Sequence, residues 1–215
     1  EMLLAQYRAY DVISRHAYGP PLELPATRRP GRIRLGYLSA DMRNHVMGKM
    51  MLAAIERHDR QRFEIHFYSL SDTEDDWTAR YRAAGDHFER IGHLPEREAA
   101  RRIARDELDL LIDLGTHTRG ARPGILVCKP ARVQITHVAS AGAVGSSAID
   151  FKLTDRFADL ERNGDYLVEE LLPMDGCVYP YRELSHRPRD PNARQALGIG
   201  ADDVIIGAFV TAMKL

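Results

Sequence analysis

Three short polar segments stand directly after strand-like apolar runs, and they hold residue types that transfer protons or contact polar ligands. The runs cover residues 33–39, 108–113 and 132–138. The polar residues of interest that follow them are Asp41, His45, His117, Thr118, Ser140 and Gly142. Because ligands of open parallel sheets bind beyond the carboxyl ends of the strands, we expect these residues to gather at one edge of a sheet.

His45 has two interpretations. As a general base it would take a proton from a hydroxyl nucleophile, because imidazole titrates near neutral pH. Alternatively, it begins a helix and its ring binds the local backbone. Asp41, one helical turn earlier, either orients and charges His45 or serves as a helix N-cap.

His117 lies between Gly115 and Gly120, and glycines at such positions suggest that a ligand or another segment comes close to the backbone. It is either a ligand contact or a loop histidine with local partners. Thr118 either lines the site or caps the helix that follows it. His137 ends an apolar strand, so a structural role is favoured for it.

Lys214 follows the strand-like run 204–210. A cation beyond the carboxyl end of a strand suits a phosphate group. The alternative is an ordinary surface lysine.

Several common site motifs are missing from the sequence. No predicted strand is followed by a complete G-x-G-x-x-G, a P-loop lysine with Ser or Thr, or a G-x-S-x-G elbow. The nine histidines and two cysteines form neither H-x-x-x-H nor C-x-x-C. These absences disfavour nicotinamide enzymes, P-loop ATPases and zinc enzymes, and we expect no metal site.

The elements that must position these residues alternate between strand and helix. Apolar patterns predict strands at 33–39, 63–68, 108–113, 132–138, 151–154 and 204–210. They predict helices over 1–18, around 47–55, over 72–85 with Asp72 or Thr73 as N-cap, and over 96–105. This alternation indicates an α/β fold with a mostly parallel sheet.

The composition argues against several further classes of protein. The 215 residues include 30 Lys and Arg against 31 Asp and Glu, and the formal net charge is -1. This balance argues against a general nucleic-acid binder or an anionic-membrane binder. No apolar run approaches the ~18 residues of a membrane span. Two cysteines and no recognisable secretion signal predict a cytoplasmic protein.

Five segments resemble, in the same order, segments of the catalytic region of O-GlcNAc transferases. They are residues 33–45 (IRLGYLSADMRNH), 116–122 (THTRGAR), 129–134 (KPARVQ), 149–155 (IDFKLTD) and 209–214 (FVTAMK). That family's large insertion before the last segment is missing, which points to the bacterial homologues.

The resemblance implies an inverting, metal-independent glycosyltransferase of GT-B architecture, in which two Rossmann-like lobes face each other behind TPR repeats. Residues 1–30 would be the end of the helical region and a linker, 31–197 the N-terminal lobe, and 198–215 the start of the C-terminal donor-binding lobe. The donor would be UDP-GlcNAc and the acceptor a Ser or Thr hydroxyl of a protein or peptide, with no cofactor.

The resemblance also assigns residue roles. His45 matches a histidine that has been considered as the base, with Asp41 beside it as a second catalytic candidate. Thr118 matches a residue lining the substrate site, where His117, Ser140 and Gly142 are further candidates. Lys214 matches a lysine that contacts the diphosphate of UDP, and Thr211 stands at a nucleotide-contacting position. The alternative function is a non-catalytic module that binds a sugar nucleotide or a protein.

Overall fold

The computed structural model describes residues 2–137, 142–180, 190–200 and 202–207. The chain forms two compact units, residues 1–182 and residues 183–215. Within the described residues, no helix combines the length and the apolar character that crossing a bilayer requires.

The first unit is built on one parallel sheet, with seven strands in the described residues and the order β3-β2-β1-β4-β5-β6-β7. All neighbouring strands in that order run parallel. The strands are β1 Ile33–Ser39, β2 Phe63–Ser69, β3 His87–Arg90, β4 Leu110–Asp113, β5 Val133–Thr136, β6 Phe151–Thr154 and β7 Glu170–Pro173. The predicted α/β fold with a Rossmann-like parallel sheet is therefore confirmed.

Helices cover both faces of this sheet. In the first unit they are α1 Met2–Tyr18, α2 Val46–Ile55, α3 Asp76–Ala84, α4 Glu96–Ala104, α5 Pro123–Val127 and a short 3-10 helix, Glu161–Tyr166. The second unit contains α6 Ala193–Ala196. The helices predicted over 1–18, 47–55 and 96–105 are confirmed, with ends that differ by a residue or two.

The start of α3 differs from its prediction. Neither Asp72 nor Thr73 is the N-cap; Asp75 is, and it forms a capping box with Thr78. The Ser71 hydroxyl accepts the N–H of Thr73, which holds the preceding residues in a turn. A local side-chain hydrogen bond has thus displaced the first turn of the predicted helix.

Two strands are absent from the prediction, and one predicted strand is not found where the structure describes it. β3 and β7 have only four residues each, and β3 is mostly polar. In the predicted strand 204–210, residues 204–207 form no strand, and 208–210 lie outside the described residues. Val204 and Ile206 are exposed there. Apolar β-branched residues favour a strand only where a neighbouring strand and a packed face receive them.

Alternating side chains of β1 serve two cores. Leu35 and Tyr37 pack with α2 and α3 on one face, whereas Leu38 packs with α4 and α5 on the other. A Cβ on Gly36 would lie 2.4 Å from Cδ1 of the buried Leu108, so a larger residue would force that side chain to shift. Two buried faces explain why the central strands are read as continuous apolar runs.

The chain reverses its strand order between β1 and β4. From β1 it builds outward through β2 and β3, then returns to pair β4 with the other edge of β1. Such a switch point opens a crevice at the carboxyl ends of the two strands, where α/β proteins bind their ligands.

Candidate active site at the carboxyl edge of the sheet

The loops after β1 and β4 meet at this crevice. A Cβ on Gly120, in the loop after β4, would lie 3.0 Å from the Cβ of Ala40, in the loop after β1. Gly120 also has φ +86°, a left-handed conformation that favours glycine. Glycine at this position therefore permits the two polar segments to approach each other.

His45 is the N-cap of α2. Its backbone is extended, and its Nδ1 atom lies 3.3 Å from the backbone nitrogen of Met47. The same Nδ1 atom lies 3.3 Å from Oδ2 of Asp41. It can accept from Met47 or donate to Asp41, but one nitrogen cannot do both at once. When Nδ1 donates to Asp41, the lone pair of Nε2 is available for a proton.

Asp41 is a partner of the histidine and not the helix N-cap, so that alternative is wrong. Its carboxylate also receives Arg43, whose Nη2 lies 3.3 Å from Oδ1. The backbone N–H of Asp41 donates to the Ser39 hydroxyl at the end of β1. The Asp41 side chain is 11% exposed and that of His45 is 42% exposed, so the imidazole is open to a ligand while its carboxylate is held in place.

Asp113, at the end of β4, is a buried acid that the sequence did not single out. Its two carboxyl oxygens accept the backbone N–H groups of Gly115 and Thr116, at 3.2 and 2.6 Å. Burial raises the pKa of Asp113 to about 7, against the opposing effect of those two N–H groups. The sequence signal that could have pointed to Asp113 is an acidic residue at the end of an apolar, strand-like run.

The loop after β4 is held by internal contacts. Nε2 of His117 donates to the carbonyl of Val144 at 2.8 Å, and the ring packs edge-on against Tyr10 of α1. Thr118 donates its hydroxyl to the Gly115 carbonyl at 2.6 Å. Helix α5 starts at Pro123, with Arg122 as N-cap, so the alternative that Thr118 caps it is wrong. These contacts fit the interpretation of His117 as a loop histidine with local partners.

His137, directly after β5, is buried in the same edge. Its backbone N–H donates to the backbone carbonyl of Asp113 at 3.0 Å. Burial lowers its pKa to about 4, although a hydrogen bond with the backbone of Val178 opposes this. The structural role favoured for it therefore comes with a neutral imidazole at physiological pH.

Several polar atoms of this edge are buried without a partner in the described part of the chain. They are Nδ1 of His137 and the hydroxyls of Thr116 and Thr136. Thr116 also has φ +46°, which is uncommon for a residue with a branched side chain. Buried orphan groups and backbone strain are features that concentrate at functional sites.

Of the four remaining candidate site residues, the structure describes only Gly142. Gly142 is half-buried at the start of the segment leading to β6. Ser140, Thr211 and Lys214 lie outside the described residues. The described geometry thus pairs His45 with Asp41 and brings the loop after β4, which holds His117 and Thr118 and is fixed by Asp113, against Ala40 in the loop after β1.

Comparison with known proteins identifies the relationship. Residues 8–178 match the model of glycosyl transferase family 41. A probable UDP-N-acetylglucosamine--peptide N-acetylglucosaminyltransferase, SEC of Arabidopsis thaliana, is 29% identical over 91% of this chain and 21% of its own length. The Caenorhabditis elegans UDP-N-acetylglucosamine--peptide N-acetylglucosaminyltransferase is 30% identical over 66% of this chain and 13% of its own.

A solved structure has the same fold. A mutant of the O-GlcNAc transferase of Thermobaculum terrenum superposes with a TM-score of 0.73 and 28% identity, over 86% of this chain and 38% of the other. The chain therefore spans a minor part of each of these relatives. Because the family match covers most of the chain, including the sheet and the His45–Asp41 pair, the chain belongs to glycosyl transferase family 41.

Proposed function

We propose that this chain forms the N-terminal lobe of an inverting glycosyltransferase that moves GlcNAc from UDP-GlcNAc to Ser or Thr hydroxyls of proteins, without a metal in the reaction. The observation that carries the proposal is the His45–Asp41 pair at the carboxyl end of β1, inside the family-matched range. Residues 31–197 would make up this lobe, residues 1–30 the end of a helical region and a linker, and residues 198–215 the start of the donor-binding lobe.

The chemistry follows from an inverting displacement. The acceptor oxygen forms a bond to the anomeric carbon while the bond to the UDP oxygen breaks on the opposite face. The hydroxyl proton passes to Nε2 of His45. The Asp41 carboxylate, which accepts from Nδ1–H, stabilises the imidazolium that results. The leaving diphosphate gains negative charge, which a cation such as Lys214 would stabilise more strongly in the transition state than in the ground state.

The loop of His117 and Thr118 would form the substrate side of the site, with Ser140 and Gly142, and Thr211 would lie next to Lys214 at the nucleotide. Two features support this placement. The β1 and β4 loops approach each other at Gly120 and Ala40, and Asp113 fixes the β4 loop by two hydrogen bonds to its backbone.

The variant His45→Asn separates catalysis from helix capping. Asparagine is a good N-cap and can accept the Met47 N–H, but it cannot take up a proton at neutral pH. In the full-length protein we expect turnover of UDP-GlcNAc with a protein acceptor to fall by about 100-fold or more. We expect UDP affinity and the free energy of unfolding to stay near the wild-type values.

Two comparisons make this test decisive. His16→Gln, an exposed position on α1, is the matched control and should retain full turnover. His45→Ala should in addition lower the free energy of unfolding by about 1 kcal/mol, because it removes the cap. Wild-type turnover in His45→Asn would leave His45 as a capping residue only, and absence of UDP-GlcNAc turnover in the wild-type protein would favour the non-catalytic binding module.

A further inference from the structure

A second histidine–carboxylate cluster lies away from the candidate active site, toward the amino ends of β2 and β3. Glu64 and His66 are alternate residues of β2, so their side chains share one face of the sheet. His87, the first residue of β3, is the register partner of His66. The strand pairing therefore brings together two histidines that are far apart in the sequence.

The three side chains present their ligand atoms to one point. Oε1 of Glu64 lies 3.0 Å from Nε2 of His66 and 3.3 Å from Nε2 of His87. All three atoms lie within 4.8 Å of one another. Zinc bonds of about 2.0–2.1 Å in a tetrahedron give ligand–ligand separations of about 3.3–3.4 Å. The two separations from Glu64 are close to that edge length, and a movement of the exposed His87 ring would adjust the separation of the two histidine nitrogens.

A carboxylate lies near the second ring nitrogen of His66, where metal-bound histidines usually have an outer partner. Its Nδ1 lies 3.7 Å from Oδ2 of Asp106, on the side away from Glu64. Asp106 is itself fixed by the Tyr68 hydroxyl at 2.5 Å and by Arg102 at 3.0 Å. In the described part of the chain this Nδ1 is buried without a hydrogen-bond partner. An ion bound at Nε2 would leave the proton on Nδ1, on the side of Asp106.

The charges around the cluster leave one carboxylate oxygen for a cation. Arg32 and Arg34 face Oε2 of Glu64, at 3.7 and 3.9 Å, and not Oε1. Arg102 is paired with Glu89 and Asp106. His66 is 5% exposed and His87 is 60% exposed, so an ion would enter from the side of His87 and keep a solvent position there.

We propose that Glu64, His66 and His87 bind a divalent transition-metal ion, with two imidazole nitrogens and one carboxylate oxygen as protein ligands and water in the open position. This ligand set suits Zn²⁺ and its neighbours better than Mg²⁺ or Ca²⁺, which prefer oxygen ligands throughout. The ion joins the edge strand β3 to β2. It lies toward the opposite ends of the strands from the His45–Asp41 pair, so it takes no part in the proposed transfer reaction.

Zinc titration of untagged, chelator-treated protein tests the proposal. We expect the wild-type protein to bind Zn²⁺ at this site and Zn²⁺ to raise its melting temperature. His87→Gln should remove this binding. Glutamine can still donate a hydrogen bond to Glu64, and the position is exposed, so the variant keeps the apo fold. His16→Gln is the matched control and should bind as the wild type does.

Asp106→Asn and Co²⁺ give two further readouts. Asp106→Asn should weaken Zn²⁺ binding by about 10–100-fold, as changes to the outer contacts of metal-bound histidines do. Co²⁺ should give visible absorption bands in the wild type that His87→Gln lacks. No Zn²⁺ binding by the wild type, or equal binding by wild type and His87→Gln, would overturn the proposal and leave the cluster as hydrogen bonds between two strands.

Discussion

The two edges of the sheet use the same side-chain types in opposite ways. At the carboxyl edge, Asp113 and His137 are buried with few partners, and burial moves both pKa values toward the neutral form. At the opposite ends of β2 and β3, hydrogen bonds and nearby cations outweigh burial and lower the pKa of Glu64 and of Asp106. Desolvation without a countercharge neutralises a group, whereas pairing keeps it charged.

The comparison separates two kinds of site. At the carboxyl edge, Asp113 and His137 are held toward their neutral forms, and Nδ1 of His137 has no partner in the described residues, so these two groups can change protonation or take a new hydrogen bond when a ligand arrives. The amino-end cluster consists of Glu64, His66 and His87, with Asp106 beside them. Its carboxylates already have arginine or histidine partners, which suits a fixed ion or a structural cross-link. Substitutions at the two edges should therefore differ in size and in pH dependence.

The largest effect on stability is expected for Asp113→Ala. The change leaves the backbone N–H groups of Gly115 and Thr116 buried without an acceptor. An unsatisfied buried group costs about 1–3 kcal/mol, so the free energy of unfolding should fall by about 2–4 kcal/mol in urea titrations. A loss below 0.5 kcal/mol would mean that water replaces the carboxyl group, contrary to its buried position.

Asp113→Asn should change how stability depends on pH. The raised pKa means that folded Asp113 holds its proton up to about pH 7, while the unfolded chain releases it near pH 4. In the wild type this contribution is present at low pH and is lost as pH rises through 7. Relative to the wild type, the free energy of unfolding of Asp113→Asn should rise by about 2 kcal/mol from pH 5 to pH 7. A parallel pH profile would show that Asp113 is ionised throughout.

His137→Gln should produce the opposite slope. Folded His137 stays neutral down to about pH 4, whereas the unfolded histidine takes up a proton below about 6.5. Its contribution is present above pH 6.5 and is lost as pH falls toward 4. Relative to the wild type, the free energy of unfolding of His137→Gln should fall by about 2 kcal/mol between pH 5 and pH 7. In the wild type the two slopes nearly cancel, and the same denaturation series measures both variants.

The smallest effect is expected at the amino-end cluster. His87 is 60% exposed, so His87→Gln without added metal should change the free energy of unfolding by no more than about 0.5 kcal/mol. Chemical denaturation in the presence of a chelator measures this value. A loss comparable to that of Asp113→Ala would contradict the contrast between the two edges.

The sequence predicted the long elements well because their signals are local. The helix over 1–18 and the strand over 33–39 follow from repeated spacing within a few turns or pleats. Strands β3 and β7 were missed because HFER and ELLP show neither an apolar alternation nor an apolar run of useful length, whereas β4, β5 and β6, which are equally short, do. The backbone of β3 and β7 is ordered by a neighbouring strand. The run at 204–207 carried a strand signal without a strand partner in the described residues.

The candidate site was predicted only in part, for the same reason. His45 and Asp41 are four residues apart, so a local pairing could be expected, although both precede α2 and the backbone between them is not helical. The role of Asp113 depends on its burial between β1 and β5, which no local pattern reveals. The cluster of His66 and His87 depends on strand register, so a search for spaced metal motifs passes over it.

The sequence by itself determined the α/β class, the family resemblance and the polar residues that follow the strands, because each is written in contiguous segments. Tertiary structure decided the position of the switch point between β1 and β4, the charge states at the two edges, and the meeting of residues from separate strands. These depend on strand order, register and desolvation, which arise only when distant segments pack together.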